Sequence, residues 1–193
     1  MPMRAFPCWV FDLDGTLVPD THDYGGLKQD LGCPLTSGIL EWVATQDDRG
    51  RAVANTRIDR WESEHADAAT ALADAIDLLD HLRGRRLGVF TRNTRGVALQ
   101  TLAAAGLADR FDPDDVIGRD VATAKPAPDG ILALLRRWGA DPQDAVMVGD
   151  GRYDVVAGRA AGVFTVLVER DAAAAAYGHL ADLRVPLLTA LIG

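Results

Sequence analysis

The sequence predicts an α/β protein: a Rossmann-like parallel sheet core flanked by helices, with a small α-helical segment inserted near its start. Three observations predict it. Short apolar runs recur at 8–12, 85–93, 144–150 and 163–169, with a shorter one at 115–120. Each is too short for a helix and apolar on both faces, as buried parallel strands are. Helical patterns alternate with these runs from residue 85 onward, the rhythm of a parallel sheet covered on both sides. Residues 19–84 break that rhythm: they carry helical patterns, show no strand signal and are far longer than a crossover needs.

The elements follow in order. "CWVFD" (8–12) is a bounded apolar run of β-formers. Within the insertion, one helix is expected from about Arg49 to Ala66, because Ala54, Ile58, Trp61 and His65 share a stripe at helical spacing. This stripe is expected to form the core of the inserted segment. A second helix is expected from about Ala69 to Leu82. After the strand at 85–93, Thr94 is a suitable N-cap for a helix ending at Gly106. Pro128 suits the first turn of a helix ending at Gly139, and a third helix over 152–161 stops at Gly162. "AAAAAY" (172–177) is read as helix.

A chain of 193 residues has room for one core domain with a modest insertion. It has no apolar stretch long enough to span a membrane, and "MPMRAF" leads directly into the first strand without a signal-like apolar region. A cytoplasmic protein, monomer or homodimer, is expected. Cys8 and Cys33 make no disulfide framework and are expected to be reduced thiols; the four histidines are scattered, which suggests no zinc site. The net charge is −8, and residues 19–84 carry −7 of it with 13 acids against 6 bases. An acidic chain without a basic stripe argues against nucleic acid and anionic membranes as partners.

The charged residues at the strand ends carry the chemical signal. Asp12 and Asp14 lie two apart at the end of the first strand, so their side chains reach the same side. That edge is where open α/β sheets bind ligands. Two close carboxylates repel, and burial strengthens the repulsion. A divalent cation resolves it, and an oxygen-rich site with few protein carboxylates suits Mg²⁺, which often brings phosphate. Gly15 permits a sharp turn, and Thr16 offers a hydroxyl to fix the loop.

"FDLDGTL" resembles the first motif of the haloacid dehalogenase superfamily. The later motifs of that family have counterparts in order: Thr91 in "VFTRN", Lys125 in "AKPAPDG", and the acidic pair Asp150 and Asp154 in "VGDGRYD". The similarity covers residues 5–18 and about 85–170, giving a core of 1–18 and 85–193 and a helical cap of 19–84. Its position and helical character match the small cap of the subgroup that contains phosphoglycolate phosphatases and β-phosphoglucomutases. The chain writes 18 of its 20 positive charges as arginine, yet has lysine at 125, where the motif wants it.

The resemblance implies a Mg²⁺-dependent phosphatase acting on a small phosphorylated metabolite. Asp12 would be the nucleophile that becomes a phosphoaspartate, and Asp14 the general acid and base. Thr91, with Asn93 assisting, would bind the phosphoryl group, and Lys125 would neutralise its charge. Asp12, Asp14 (through its backbone carbonyl) and Asp150 would hold the metal, with Asp154 supporting Lys125 or metal waters. Relatives that cleave carbon–halogen bonds or phosphonates lack the second aspartate; Asp14 is present, so Lys28 reads as a surface charge. His22 is expected to be structural, and Arg57 and Arg60 a solvated helix face. A phosphomutase is the chemically nearest alternative. A non-catalytic phosphate-binding module would be expected to have lost a charged motif residue, and a receiver-type signalling domain has its acidic pair early and its lysine last.

Overall fold

The computed structural model describes residues 6–170 and 176–192. Six strands form one parallel sheet: β1 (Cys8–Phe11), β2 (Arg86–Phe90), β3 (Val116–Ile117), β4 (Ala145–Gly149), β5 (Phe164–Val168) and β6 (Leu183–Val185). Their order is β3-β2-β1-β4-β5-β6. The fold class and the first five strands agree with the sequence reading. The sixth is a three-residue edge strand with an exposed arginine at its centre, too short and too polar to signal itself. The segment 172–177 read as helix lies largely outside the described residues.

Among the described residues seven α-helices accompany the sheet: α1 (Tyr24–Leu31), α2 (Ile39–Ala44), α3 (Asp48–Ala66), α4 (Ala73–His81), α5 (Arg95–Ala104), α6 (Asp129–Trp138) and α7 (Arg152–Ala161). Thr94 caps α5, its side chain accepting the Val97 N–H. Gly139 and Gly162 close α6 and α7 in left-handed conformations.

Side-chain alternation along β1 splits the core into two layers. Trp9 and Phe11 pack with α4 and α5 through Ala75, Leu78, Leu79, Ala98 and Leu102. Cys8 and Val10 face the other way, toward Ile131, Leu134 and Leu135 of α6 and Ala157 of α7. α1–α3 form a small separate core of Val43, Ala54 and Ile58, with Leu31, Ile39 and Trp42 against it.

Two expectations for the insertion need correcting. α4 falls within the expected cap span of 19–84, but its apolar face belongs to the sheet's core, because Ala75, Leu78 and Leu79 are fully buried there. Trp61 and His65 do not continue the Ala54–Ile58 core. They turn toward His22 and Tyr24 in a ring cluster, with centroids 4.5–5.7 Å apart. Helix α3 is long enough for its stripe to leave the Ala54–Ile58 core and reach the chain entering the insertion.

Register decides where the functional residues meet. Phe11 pairs with Val89 of β2 and with Val148 of β4. β2 and β4 each run one residue further, so the residues just past the three strand ends, Asp12, Thr91 and Asp150, emerge close together at the carboxyl edge. β1 has β2 on one side and β4 on the other, so the strand order switches there and leaves a crevice.

Candidate active site

The backbone N–H of Asp12 still donates to the Val148 carbonyl at 2.9 Å, so the nucleophile candidate is anchored by the sheet. The chain then turns at Gly15, whose φ is +78°. A Cβ there would lie 2.2 Å from Asp150 Oδ2. Glycine is required twice over, for the left-handed backbone and for the close approach of the carboxylate. Thr16 Oγ1 donates to Asp150 Oδ1 at 3.3 Å, tying the loop after β1 to the end of β4.

Lys125 is 2% exposed. Its ammonium donates to Asp12 Oδ1 and to Asp154 Oδ1, both at 2.5 Å. Asp154 sits in the first turn of α7, where the helix dipole favours a carboxylate, and its other oxygen accepts the Gly151 N–H at 2.9 Å. Asp12, Asp150 and Asp154 bring one carboxylate oxygen each to within 4.8 Å of one another. Three hard oxygen donors around one point suit a small divalent cation such as Mg²⁺. The carboxylate of Asp14 is not in this cluster. It accepts from Asn93 Nδ2 at 2.8 Å, so the amide expected to assist the phosphate contacts the acid/base candidate instead. Thr91 Oγ1 accepts the Asn93 backbone N–H at 3.1 Å, which leaves the hydroxyl hydrogen available to the space above.

A cavity of about 380 Å³ opens over these groups. Its floor holds Asp12, Asp14, Thr91, Lys125 and Asp150, and its far wall comes from the insertion, through Tyr24, Leu27, Ile39, Ile58 and Trp61 among others.

The sequence matches the haloacid dehalogenase-like hydrolase family over residues 27–168. The chain belongs to that family. It is 32% identical to a phosphoglycolate phosphatase of Rhodospirillum rubrum, covering 82% of this chain and 78% of that protein. It is 36% identical to the pyrophosphatase PpaX of Bacillus pumilus, over 81% of this chain and 80% of that one. In fold it is similar to a haloacid dehalogenase-like hydrolase from Streptococcus pneumoniae, with a TM-score of 0.76 at 18% identity and 98% of each chain covered. As a haloacid dehalogenase-like hydrolase, the protein is an enzyme.

Electrostatics give those side chains different characters. Burial and the neighbouring Asp154 carboxylate push Asp12 well above the usual carboxylate range, against the pull of Lys125. Burial opposes the charge on Lys125, but Asp12 and Asp154 outweigh it and hold the ammonium above its ordinary value. Burial raises Asp14, opposed by His22 and the Asn93 hydrogen bond. Burial and Asp154 push Asp150 up to about 7. Crowded, partly desolvated carboxylates of this kind are what a bound cation relieves.

Several contributors were not legible in the sequence. Arg170 follows β5 and donates from Nε to the Gly15 carbonyl at 2.9 Å, while Nη2 reaches both oxygens of Asp74 at 2.8 and 3.0 Å. It braces the Asp12–Thr16 loop from behind; its only sequence signal is a cation just past a strand end. Arg92 and Arg119 tie the core to the insertion. Arg92 Nη2 donates to both oxygens of Glu41 on α2 at 2.9 and 3.0 Å. Arg119 reaches Glu62 at 2.9 Å and Asp59 at 2.6 Å on α3. Lys28, expected as a surface charge, lines the cavity and donates to the Leu35 carbonyl at 3.0 Å. His22 contacts Asp20 at 2.9 Å as well as the rings of Trp61 and His65. Arg60 pairs with Glu64 one turn on, whereas Arg57, expected on a solvated face, reaches across to the Asp30 carbonyl at 2.9 Å. Among the described residues no helix is long and apolar enough to cross a membrane.

Proposed function

We propose that the protein is a Mg²⁺-dependent phosphatase that hydrolyses a small phosphate monoester through a phosphoaspartate on Asp12. The observation that carries this reading is the separation of two carboxylates only two residues apart: Asp12 is held on Lys125 at 2.5 Å, Asp14 on Asn93 at 2.8 Å. Neighbouring acids in different environments take different roles. The names of the relatives, a phosphoglycolate phosphatase and a pyrophosphatase, support cleavage of a P–O bond.

The phosphoryl group would lie on the cavity floor, with the Thr91 hydroxyl and the Lys125 ammonium on its oxygens. Asp12 attacks phosphorus as the bond to the leaving oxygen breaks. Asp14, which burial favours in its protonated form, donates its proton to that oxygen. Asp14 is then a carboxylate and takes a proton from the water that attacks the phosphoaspartate, releasing phosphate and regenerating Asp12. Asp12, Asp150 and the Asp14 carbonyl would hold Mg²⁺, with the Asp154 carboxylate within reach; bound there, it would offset phosphoryl charge and align the reacting oxygens. Asn93 orients Asp14, and Asp154 positions Lys125. We read α1–α3 as the cap that excludes water, with α4 assigned to the core.

Turnover of 4-nitrophenyl phosphate with Mg²⁺, abolished by Asp12→Asn, is the test. Robust activity in the variant, or none in the metal-replete native protein, overturns the reading.

A further inference from the structure

We infer that Arg119 is a positioning residue for the acid/base group: held by the acids of α3, its guanidinium fixes the turn from which Asn93 grips Asp14. This rests on the phosphatase reading, which gives Asp14 its part in proton transfer.

Arg119 lies two residues past β3 and is not among the residues that line the cavity, so it acts on the reaction only through others. Its backbone is set by close packing: a Cβ on Gly118 would lie 2.2 Å from the Arg95 backbone nitrogen at the start of α5. The Arg119 N–H donates to the Asn93 carbonyl at 2.9 Å, and Nη1 donates to the Arg92 carbonyl at 2.7 Å. One residue therefore holds two successive carbonyls of the turn after β2. From that turn Asn93 gives its N–H to Thr91 Oγ1 and its amide to Asp14 Oδ2. The amide that orients Asp14 is only as well placed as the turn.

The guanidinium is in turn held by α3. Nη1 also meets both oxygens of Glu62 at 2.9 Å, and Nη2 meets Asp59 at 2.6 Å. The Arg119 and Glu62 side chains are 10% and 11% exposed, so water screens this contact little. Charge-assisted bonds from a rigid fork fix direction as well as distance. Contacts thus run from α3 through Arg119 and Asn93 to Asp14, and link the seating of that helix to the group that moves protons.

Leaving-group chemistry tests this with Mg²⁺ and kcat/KM as the readout. 4-Nitrophenolate leaves phosphorus with little help from an acid, whereas phenolate, on the same ring, needs a proton more. Misplacing Asp14 therefore costs more on phenyl phosphate than on 4-nitrophenyl phosphate. Loosening the fold or the binding of substrate costs the same on both. Arg119→Met should lose about tenfold more on phenyl phosphate, a part of the roughly 10²- to 10⁴-fold that a placed acid contributes. Asn93→Ala should show the same difference, and the double variant no greater one than Asn93→Ala alone, because both act through one hydrogen bond. Equal losses on the two substrates in either single variant, or additive effects in the double variant, overturn the inference and leave the phosphatase reading standing. If Arg119→Met does not fold, Arg119→Lys replaces it. Lysine keeps a charge for Glu62, but one ammonium cannot span α3 and the Arg92 carbonyl as the fork does; equal losses there overturn the inference as well. Native protein that turns over 4-nitrophenyl phosphate but not phenyl phosphate also overturns it. Turnover of neither overturns the phosphatase reading and this inference with it.

Discussion

Lys125→Met removes a buried cation that touches both Asp12 and Asp154 and leaves their carboxylates facing each other without it. The lysine side chain is 1% exposed and that of Asp154 3%, so water does little to replace the lost charge. Breaking a buried ion pair from one side costs about 3–5 kcal/mol. For a protein of this length that lowers Tm by about 6–20 °C. Lost stabilisation of the transferring phosphoryl group adds about 2–4 kcal/mol to the barrier, or about 30- to 1,000-fold in rate. The stability deficit has a pH signature. Asp12 already lies above the ordinary carboxylate range, and without Lys125 it rises further. A carboxyl whose folded value is raised stabilises the fold at low pH and loses that contribution as pH increases through the folded value. The deficit should therefore be larger at pH 8 than at pH 5. Thermal melts at the two pH values, with kcat/KM on 4-nitrophenyl phosphate at saturating Mg²⁺, measure both effects. A folded variant that loses less than tenfold in kcat/KM, or a deficit that grows on acidification, refutes the reasoning.

Other consequences can be checked alongside. Burial and Asp154 hold Asp150 at about 7, so without metal the fold loses this group's contribution as pH rises from the ordinary carboxylate range to about 7. Mg²⁺ must displace its proton below that value and should raise Tm by several degrees more at pH 8 than at pH 5.5; equal shifts would argue against Asp150 as a ligand. Gly15→Ala places a Cβ 2.2 Å from Asp150 Oδ2 in a left-handed backbone. It should cost at least 1–2 kcal/mol by the strain alone, an order-of-magnitude figure, and weaken Mg²⁺ binding about tenfold or more by displacing the carboxylate, read by metal titration. Arg170→Met releases the Gly15 carbonyl from its brace; kcat should fall with KM little changed, and a pure KM effect would place Arg170 in substrate binding instead. Arg119→Met frees Asp59 and Glu62 of α3 from the core and should raise KM several-fold as the cap loosens, with hydrogen exchange in α3 speeding up; unchanged exchange would show that Arg119 is not a latch.

Most of the cavity floor was legible. Asp12 and Asp14 stood out by position, since two acids just past a buried apolar run mark the carboxyl edge of a sheet, whereas Thr91, Asp150 and Asp154 were singled out by the resemblance to the family's motifs. Lys125 was singled out the same way, and more sharply because the chain writes 18 of its 20 positive charges as arginine. The partners were not legible. That Asn93 serves Asp14, and that Arg170 holds the loop at Gly15, follow from contacts 79 and 155 residues apart, which no local pattern encodes. Nor did helical periodicity distinguish α4, which packs in the sheet's core, from α3, whose Ala54 and Ile58 pack with α1 and α2, since an amphipathic stripe does not name the surface that covers it. The sequence by itself determined the first five strands, their alternation with helices and the charged residues at their ends, because these depend on near neighbours and on what water excludes. The tertiary structure decided the strand order and the pairing of each carboxylate, because those are set by which distant groups the closed fold brings within hydrogen-bond reach.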